Sequence, residues 1–188
     1  MKKTIFILIS LISACATAQV AIGKSNTTNA SVSLEFGDYD NSNGKGLILP
    51  WVTSASTLNT AVEGTLIFDT EDHILKYKNS DTEWFALTRN ENAAVEGSTV
   101  DTTGAADTTL QDNLEDNSNA KTVIGADGAT NTTSGILVLS DTDKAMILPK
   151  VPEPHKNISN PEPGTIVYDT TNKMVAVFNG TVWSFWKP

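Results

Sequence analysis

Short stretches of alternating hydrophobic and polar residues recur along this chain. In residues 31–36, Val32, Leu34 and Phe36 alternate with polar side chains. A period of two is typical of a β-strand that buries one face, because successive side chains point to opposite sides of the strand. Another apolar run, 47–49, stops at a proline, which cannot donate a ladder hydrogen bond. The pattern predicts a protein built of short strands.

The same motifs occur twice, in the same order. Residues 64–70 (GTLIFDT) match residues 164–170 (GTIVYDT), and the other matches have nearly the same offset. We therefore predict two tandem repeats, which span 19–88 and 122–188. The other matches are Ile22-Gly23 with Ile124-Gly125, Asp38-Tyr39-Asp40 with Asp141-Thr142-Asp143, 45–50 (KGLILP) with 144–149 (KAMILP), and Asn79 and Trp84 with Asn179 and Trp183.

Each repeat is predicted to end in a three-stranded β-meander. Asn179-Gly180 is a dipeptide typical of tight hairpins. Only residues 53–62 look helical, and their counterpart, 152–163, contains too many prolines for a helix. The predicted fold is all-β: two tandem small β-meander repeat units joined by a flexible acidic linker, after a signal peptide. The meander strands are predicted at 65–69, 73–78 and 84–87, and again at 165–169, 173–178 and 182–186.

The stretch between the repeats, 89–121, is acidic and rich in Ser, Thr and Asn. It carries seven acidic residues, two basic ones and no aromatic residue. Such a composition buries too little apolar surface to offset the entropy that a chain loses on folding. We therefore predict a linker at these positions.

The first residues, 1–18, have the order of a signal peptide. Two lysines precede an apolar run of about 11 residues, which is too short to span a bilayer. An A-x-A sequence favours cleavage between Ala18 and Gln19, while a lipobox-like sequence ending at Cys15 offers lipidation as the minor alternative. The protein is predicted to be exported, either to the periplasmic side of the outer membrane or to the cell surface and beyond.

Composition narrows the function further. The formal net charge is −9 and Arg89 is the single arginine, so nucleic-acid binding, which needs clustered Lys and Arg, is not expected. His73 and His155 lack the spaced partners of a zinc site and are expected to be exposed turn residues. There is no G-x-S-x-G sequence and no P-loop. We expect no enzyme activity, no cofactor and no transmembrane span.

Aromatic residues gather toward the end of each repeat. Buried or at an interface, they contribute large contact areas, so they are candidates for core or subunit contacts. A sugar-binding platform is the alternative reading. The candidate interaction residues are Trp51, Tyr77, Trp84, Phe178, Trp183 and Trp186.

The order of these motifs resembles repeats common in exported surface proteins and tail-fibre-like proteins of Bacteroidetes. Residues 178–183 (FNGTVW) match the end of that pattern closely. The first repeat departs from it, with one extra residue in 78–84 and with Trp51 where a basic residue usually follows the Leu-Pro block. The resemblance implies β-rich modules that associate with other chains, and it carries no catalytic signature.

Two local sequences raise further hypotheses. Residues 38–44 (DYDNSNG) superficially resemble a calcium loop, but Leu49 stands where that loop needs Glu, so a plain Asx turn is favoured. Thr102 and Thr108 lie in Asp-Thr-Thr sequences that resemble the O-glycosylation acceptor of the Bacteroidetes periplasm.

Taken together, the sequence predicts an exported, non-enzymatic structural protein that uses β-repeats for self-association or for binding a protein partner. Two alternatives stay open. One is an accessory subunit of an outer-membrane secretion or gliding-motility complex, and the other is a carbohydrate-binding adhesion module.

Overall fold

A computed structural model describes residues 19–42, 44–80, 82–88, 106–109, 114, 117 and 120–187. The predicted signal peptide, Cys15, Thr102 and most of the predicted linker lie outside these residues. Within them the chain is nearly all β, which confirms the predicted fold class.

The described elements are short strands with two single helical turns. In chain order they are β1 (Val20–Ile22), β2 (Val32–Phe36), β3 (Leu47–Ile48), β4 (Trp51–Val52), a 3-10 turn (Ala55–Thr57), β5 (Leu66–Asp69), β6 (Ile74–Ser80), β7 (Glu83–Ala86), β8 (Thr122–Ile124), β9 (Leu137–Leu139), β10 (Ala145–Ile147), β11 (Lys150–Val151), α1 (Pro154–Asn157), β12 (Thr165–Asp169), β13 (Met174–Phe178) and β14 (Trp183–Trp186).

Each repeat ends in the meander that its sequence predicts. In the first repeat, β5, β6 and β7 are antiparallel neighbours and β4 adds in parallel to β5, which gives a four-stranded sheet that we call sheet 1. In the second repeat, β11 to β14 form the same arrangement, sheet 2. Gly64 and Gly164 precede the central strands with φ of 82° and 78°, a left-handed conformation that glycine adopts without steric cost.

The strands that precede the meanders form smaller parallel sheets. β1 pairs with β2, and β8 pairs with β9. A third strand, β10, pairs with the other edge of β2 and completes a three-stranded sheet. Parallel strands need long connections, so these pairings join residues far apart in the chain.

The two repeats exchange strands. β10 belongs to the second repeat but pairs with β2 of the first, and β3 belongs to the first repeat but pairs with β12 of the second. Each repeat therefore supplies a strand to a sheet of the other. The predicted repeats are recognisable in sequence, but in the fold they interlock.

The main hydrophobic core lies between sheet 1 and sheet 2. Leu75 of the first repeat packs in one buried cluster with Ile166 and Val177 of the second, and Leu49 closes the cluster. Burial of such a side chain contributes about 1.5–3 kcal/mol. A second cluster (Val151, Val167 and Ala176) lies within the second repeat, and Tyr39 of the first repeat packs against it. Both clusters hold the repeats together.

Two sequence expectations about helices are wrong. Within 53–62 only a 3-10 turn forms, because Ala55 donates its N–H to Asp69 Oδ2 at 2.8 Å and the Thr57 hydroxyl donates to the Ser54 carbonyl, bonds that compete with a longer helix. Conversely, the proline-rich counterpart contains the helix α1. It tolerates proline because Pro154 occupies the first helical position, where no N–H is needed.

His73 is buried rather than exposed as expected. Its backbone has a φ of 57°, nearly the same as the 56° of its counterpart Lys173. The long lysine side chain reaches solvent from that position, whereas the shorter imidazole stays within the fold.

Candidate interaction surface

The aspartate of each repeated GTxxxDT motif organises a turn. Asp69 accepts hydrogen bonds from the backbone N–H groups of Ala55 (2.8 Å), Glu71 (3.1 Å) and Asp72 (3.2 Å), and from Lys76 Nζ (2.8 Å). Burial raises the pKa of Asp69, but the hydrogen bonds, that of Lys76 above all, outweigh it and lower the pKa. The carboxylate therefore stays ionised and serves the fold.

Asp169 has the same role in the second repeat. It accepts from the backbone N–H groups of Thr171 (2.9 Å), Asn172 (3.1 Å) and Glu153 (3.2 Å), and from Asn172 Nδ2 (2.8 Å). Burial again opposes ionisation, yet these donors lower the pKa of Asp169. The motif recurs in both repeats for a structural reason, since the carboxylate oxygens of both aspartates accept hydrogen bonds from the backbone of the turn.

A third buried carboxylate holds the loop between β1 and β2. Glu35 accepts from the hydroxyl and the backbone N–H of Thr28, both at 2.6 Å, and from Lys24 Nζ at 2.9 Å. The Thr28 hydroxyl is the largest influence that lowers the pKa of Glu35, to about 2. Glu35 thus fixes the loop against β2.

In the predicted calcium-like loop, Asp40 forms its hydrogen bonds within the loop. Asp40 accepts from the Ser42 N–H at 3.0 Å, which is an Asx turn, and its counterpart loop has Asp141 bonded to Lys144 Nζ at 2.8 Å. Among the residues that the structure describes, no group of three or more His, Cys, Asp or Glu side chains could hold a metal ion. In the same part of the chain, no helix is long and apolar enough to cross a membrane.

Five of the six predicted aromatic residues lie on the last two strands of each meander. In sheet 1, Lys78 Nζ lies 5.1 Å from the ring centroid of Trp84, a cation–π contact, and Tyr77 lies 5.3 Å from Phe85. In sheet 2, Phe178 lies 5.3 Å from its cross-strand partner Trp183. Trp84 and Trp183 occupy equivalent positions and are half-buried.

One predicted candidate, Trp51, joins the two repeats within the chain. Its indole Nε1 donates to the Pro163 carbonyl at 2.8 Å. An added Cβ on the neighbouring Gly164 would lie 3.5 Å from the same nitrogen, so the ring packs closely against this turn. Trp51 therefore contributes to the contact between the repeats and is only partly accessible.

The most exposed aromatic side chains lie on the edge strands β7 and β14. Trp186 is 53% exposed and Phe185 is 42% exposed, and Phe185 contacts the His155 ring edge-on at 5.9 Å. The candidates chosen from the sequence include Trp186 but not Phe185 or its exposed counterpart in sheet 1, Phe85. The sequence signal for these two residues was the alternation of side chains along the last strand of each meander. That alternation gives the period of the strand but not which of its faces meets the core.

Several strand edges have no partner within the described residues. β7 and β14 end sheets 1 and 2, and β9 is paired on one edge only. Unpaired edges are sites where other chains can add strands. The surface most suited to association therefore combines open edges with exposed apolar side chains. Of the glycosylation candidates, Thr108 is half-buried in a described segment and Thr102 lies outside.

Comparison with known proteins places a family match on the second repeat. Residues 124–187 match the family model described as phage tail like trimerisation region. The match covers about a third of the chain, from the last residue of β8 to the residue after β14. No curated protein matches the chain, and no solved structure does. The match agrees with the tail-fibre-like resemblance noted in the sequence.

Proposed function

We propose that this chain is a structural, non-enzymatic protein of fibre type, which self-associates into trimers through its β-repeats. The observation that carries the proposal is the match of residues 124–187 to a trimerisation region. The geometry supports it, because the same residues form a small sheet with an open edge strand, β14, and with exposed Phe185 and Trp186. Oligomerisation buries such edges and side chains.

The size of the molecule also supports self-association. Much of the core is shared between sheet 1 and sheet 2, and each is only four-stranded apart from the exchanged strand β3. Small cores provide little stability by themselves, and association with further copies extends the buried surface.

The decisive measurement is the mass of the purified protein in solution. Native mass spectrometry and light scattering over a series of protein concentrations should give three times the mass of one chain. A species that stays monomeric at tens of micromolar would refute the proposal, and a stable dimer would refute the trimer.

Export to the cell surface is the second part of the proposal. It is supported by the sequence of residues 1–18, which has the order of a signal peptide. Intact-mass analysis of the protein recovered from its native host should give a chain that begins at Gln19. A chain that retains Met1, or one that begins at a lipidated Cys15, would contradict this processing. The same spectrum reports any added mass on Thr102 and Thr108.

A further inference from the structure

The second repeat repeats a small parallel sheet of the first. In the first repeat, Gly37 donates its N–H to the Ile22 carbonyl at 2.7 Å, where β2 leaves β1. In the second, Ser140 donates its N–H to the Ile124 carbonyl at 3.0 Å, where β9 leaves β8. The residue pairs are also equivalent, so β1 and β2 correspond to β8 and β9.

The outer edge of this small sheet is paired with a third strand in the first repeat but not, among the described strands, in the second. β2 is paired on both edges, by β1 and by β10, whereas β9 pairs only with β8 among the described strands. Thr122 donates its N–H to the Ile136 carbonyl, so alternate residues from 136 onward face β8. Leu137 and Leu139 therefore direct their backbone groups to the open edge.

In the first repeat this outer edge is paired with β10, and the counterpart of β10 in sequence, β3, has a free edge. β10, which completes β2, corresponds in sequence to β3. Ala145 at the start of β10 donates its N–H to the Ser31 carbonyl at 2.9 Å, next to β2. Directly after β3, Leu49 donates its N–H to the Gly164 carbonyl at 3.2 Å, next to β12. Leu49 lies three residues beyond Gly46, the counterpart of Ala145. Since N–H groups alternate between the two edges of a strand, β3 uses the opposite edge and leaves free the one that β10 uses.

Within both β3 and β9, the open edge carries none of the charged residues or prolines that protect many natural edge strands. The strand residues of β3 are Leu47 and Ile48, and β9 reads Leu-Val-Leu, with no charged residue or proline within either strand. Ile48 is 50% exposed, and Leu137 is exposed as well. A two-stranded parallel sheet such as β8–β9 is also marginal without a third strand.

We propose that β9 of one copy pairs in parallel with the free edge of β3 of a second copy. The pairing continues between chains the contact that β2 and β10 make within one chain. The register follows from the equivalence of the strands in the two repeats. Within one chain, Met146 of β10 lies opposite Leu34 and Ile147 lies opposite Glu35. The equivalent pairs between two chains are Leu47 with Leu137 and Ile48 with Val138. This inference rests on the proposed self-association and names the strands that make it.

Cysteine cross-linking tests the register directly. Two singly substituted proteins, Ile48→Cys and Val138→Cys, are co-expressed with different tags in a Cys15→Ser background and then mildly oxidised. A disulfide needs Cα atoms within ~7 Å, so we expect about tenfold more linked product containing one chain of each kind than from the matched pair Ile22→Cys with Val138→Cys. Ile22 is a suitable control because it is 51% exposed, like Ile48, and lies on β1.

The oligomer size, measured on the same samples, separates this inference from the proposed function. A trimer that cross-links in the double variant Ile48→Cys/Val138→Cys into a covalent three-chain product supports both. A trimer with no linkage above the control overturns the β9–β3 pairing and leaves trimerisation standing. Linked products that extend beyond three chains support the pairing and overturn the closed trimer. A monomer without linkage overturns both. Circular dichroism melting of each single variant, expected to match that of the parent, shows that the substitutions leave the fold intact.

Discussion

Replacement of Gly46 by alanine should destabilise the protein, because β3 packs there against the second repeat. A Cβ built on Gly46 would lie 2.2 Å from Thr165 Cγ2 and 2.9 Å from Val167 Cγ1. Thr165 is 3% exposed and Val167 is fully buried, so neither side chain can move into solvent to make room. Gly46 does not have a positive φ, so the penalty is steric rather than conformational. Overpacking of a tight core by one methyl group costs about 1–3 kcal/mol.

The assay is thermal and urea unfolding at one fixed protein concentration, since assembly shifts apparent stability by mass action. For a chain of this size, each kcal/mol lowers the melting temperature by about 2–4 °C. Gly128→Ala is the matched control: the nearest atom to its added Cβ, other than its chain neighbours, lies 3.4 Å away, so it should be neutral or slightly stabilising. If Gly46→Ala melts like the parent or above it, then β3 does not pack on β12, and the exchange of β3 into sheet 2 is refuted.

Three further substitutions test other parts of the structure. Asp169→Ala removes the acceptor of a buried turn and should lower the free energy of unfolding in urea by about 1–3 kcal/mol, whereas Asp143→Ala, at an exposed residue, should have no effect. Equal urea midpoints for the two variants would contradict the role of that turn. The pKa of Glu35 is lowered from 4.5 to about 2, so its stabilising contribution is complete above pH 4.5 and is lost as the pH falls toward 2. Glu35→Gln should therefore reduce the change in the free energy of unfolding over this pH range. An acid-unfolding profile identical to that of the parent would contradict this contribution of Glu35. Trp51→Phe loses the indole donor between the repeats and should cost about 0.5–1.5 kcal/mol, while Val62→Ala, at an exposed residue outside the proposed association surface, should leave the melting temperature unchanged.

The meanders could be predicted from sequence because their determinants are local. Alternation within each strand and turn residues such as Asn179-Gly180 define both the strands and their order, and antiparallel neighbours follow one another along the chain. The strand exchange could not be predicted in the same way. β10 and β2 are more than a hundred residues apart, and no local pattern specifies a partner at that distance.

The differences between the repeats did contain part of that information. Gly46 aligns with Ala145 and Trp51 aligns with Lys150, and residues 41–44 have no counterpart in the second repeat. Gly44, Gly46 and Trp51 each lie where the first repeat contacts the second. Of these three, the sequence marks only Trp51 as a departure from the motif, whereas the structure shows that Trp51, Gly46 and Gly44 all contact the second repeat.

The aromatic surface was predictable in composition but not in orientation. A shift of one residue in register moves every side chain of a strand to the opposite face. The register of β14 against β13 sets Trp183 opposite Phe178 and leaves Trp186 exposed, although sequence reasoning gave the two tryptophans the same role. The helix prediction over 53–62 failed for a related reason, since Asp69 lies outside that segment and captures its backbone N–H.

The first repeat contacts the second through side chains and backbone groups that have no counterpart in the second repeat. We therefore expect the contact between two chains to differ from the contact between the repeats within one chain. Tyr39 Oη donates to Asn157 Oδ1 at 3.1 Å, and the Gly44 N–H donates to the Asn157 carbonyl at 2.6 Å. The counterpart of Tyr39 is Thr142, so the second repeat cannot hold a following repeat in this way. Among the edges left open to a second copy, the pair on β9 and β3 is the one with an equivalent pairing within the chain, that of β2 with β10. Because these edges are unlike each other, the contact is directional, and a directional contact closes into a ring when its rotation allows it. A rotation of one third of a turn would close the ring as the trimer that the family match on 124–187 supports.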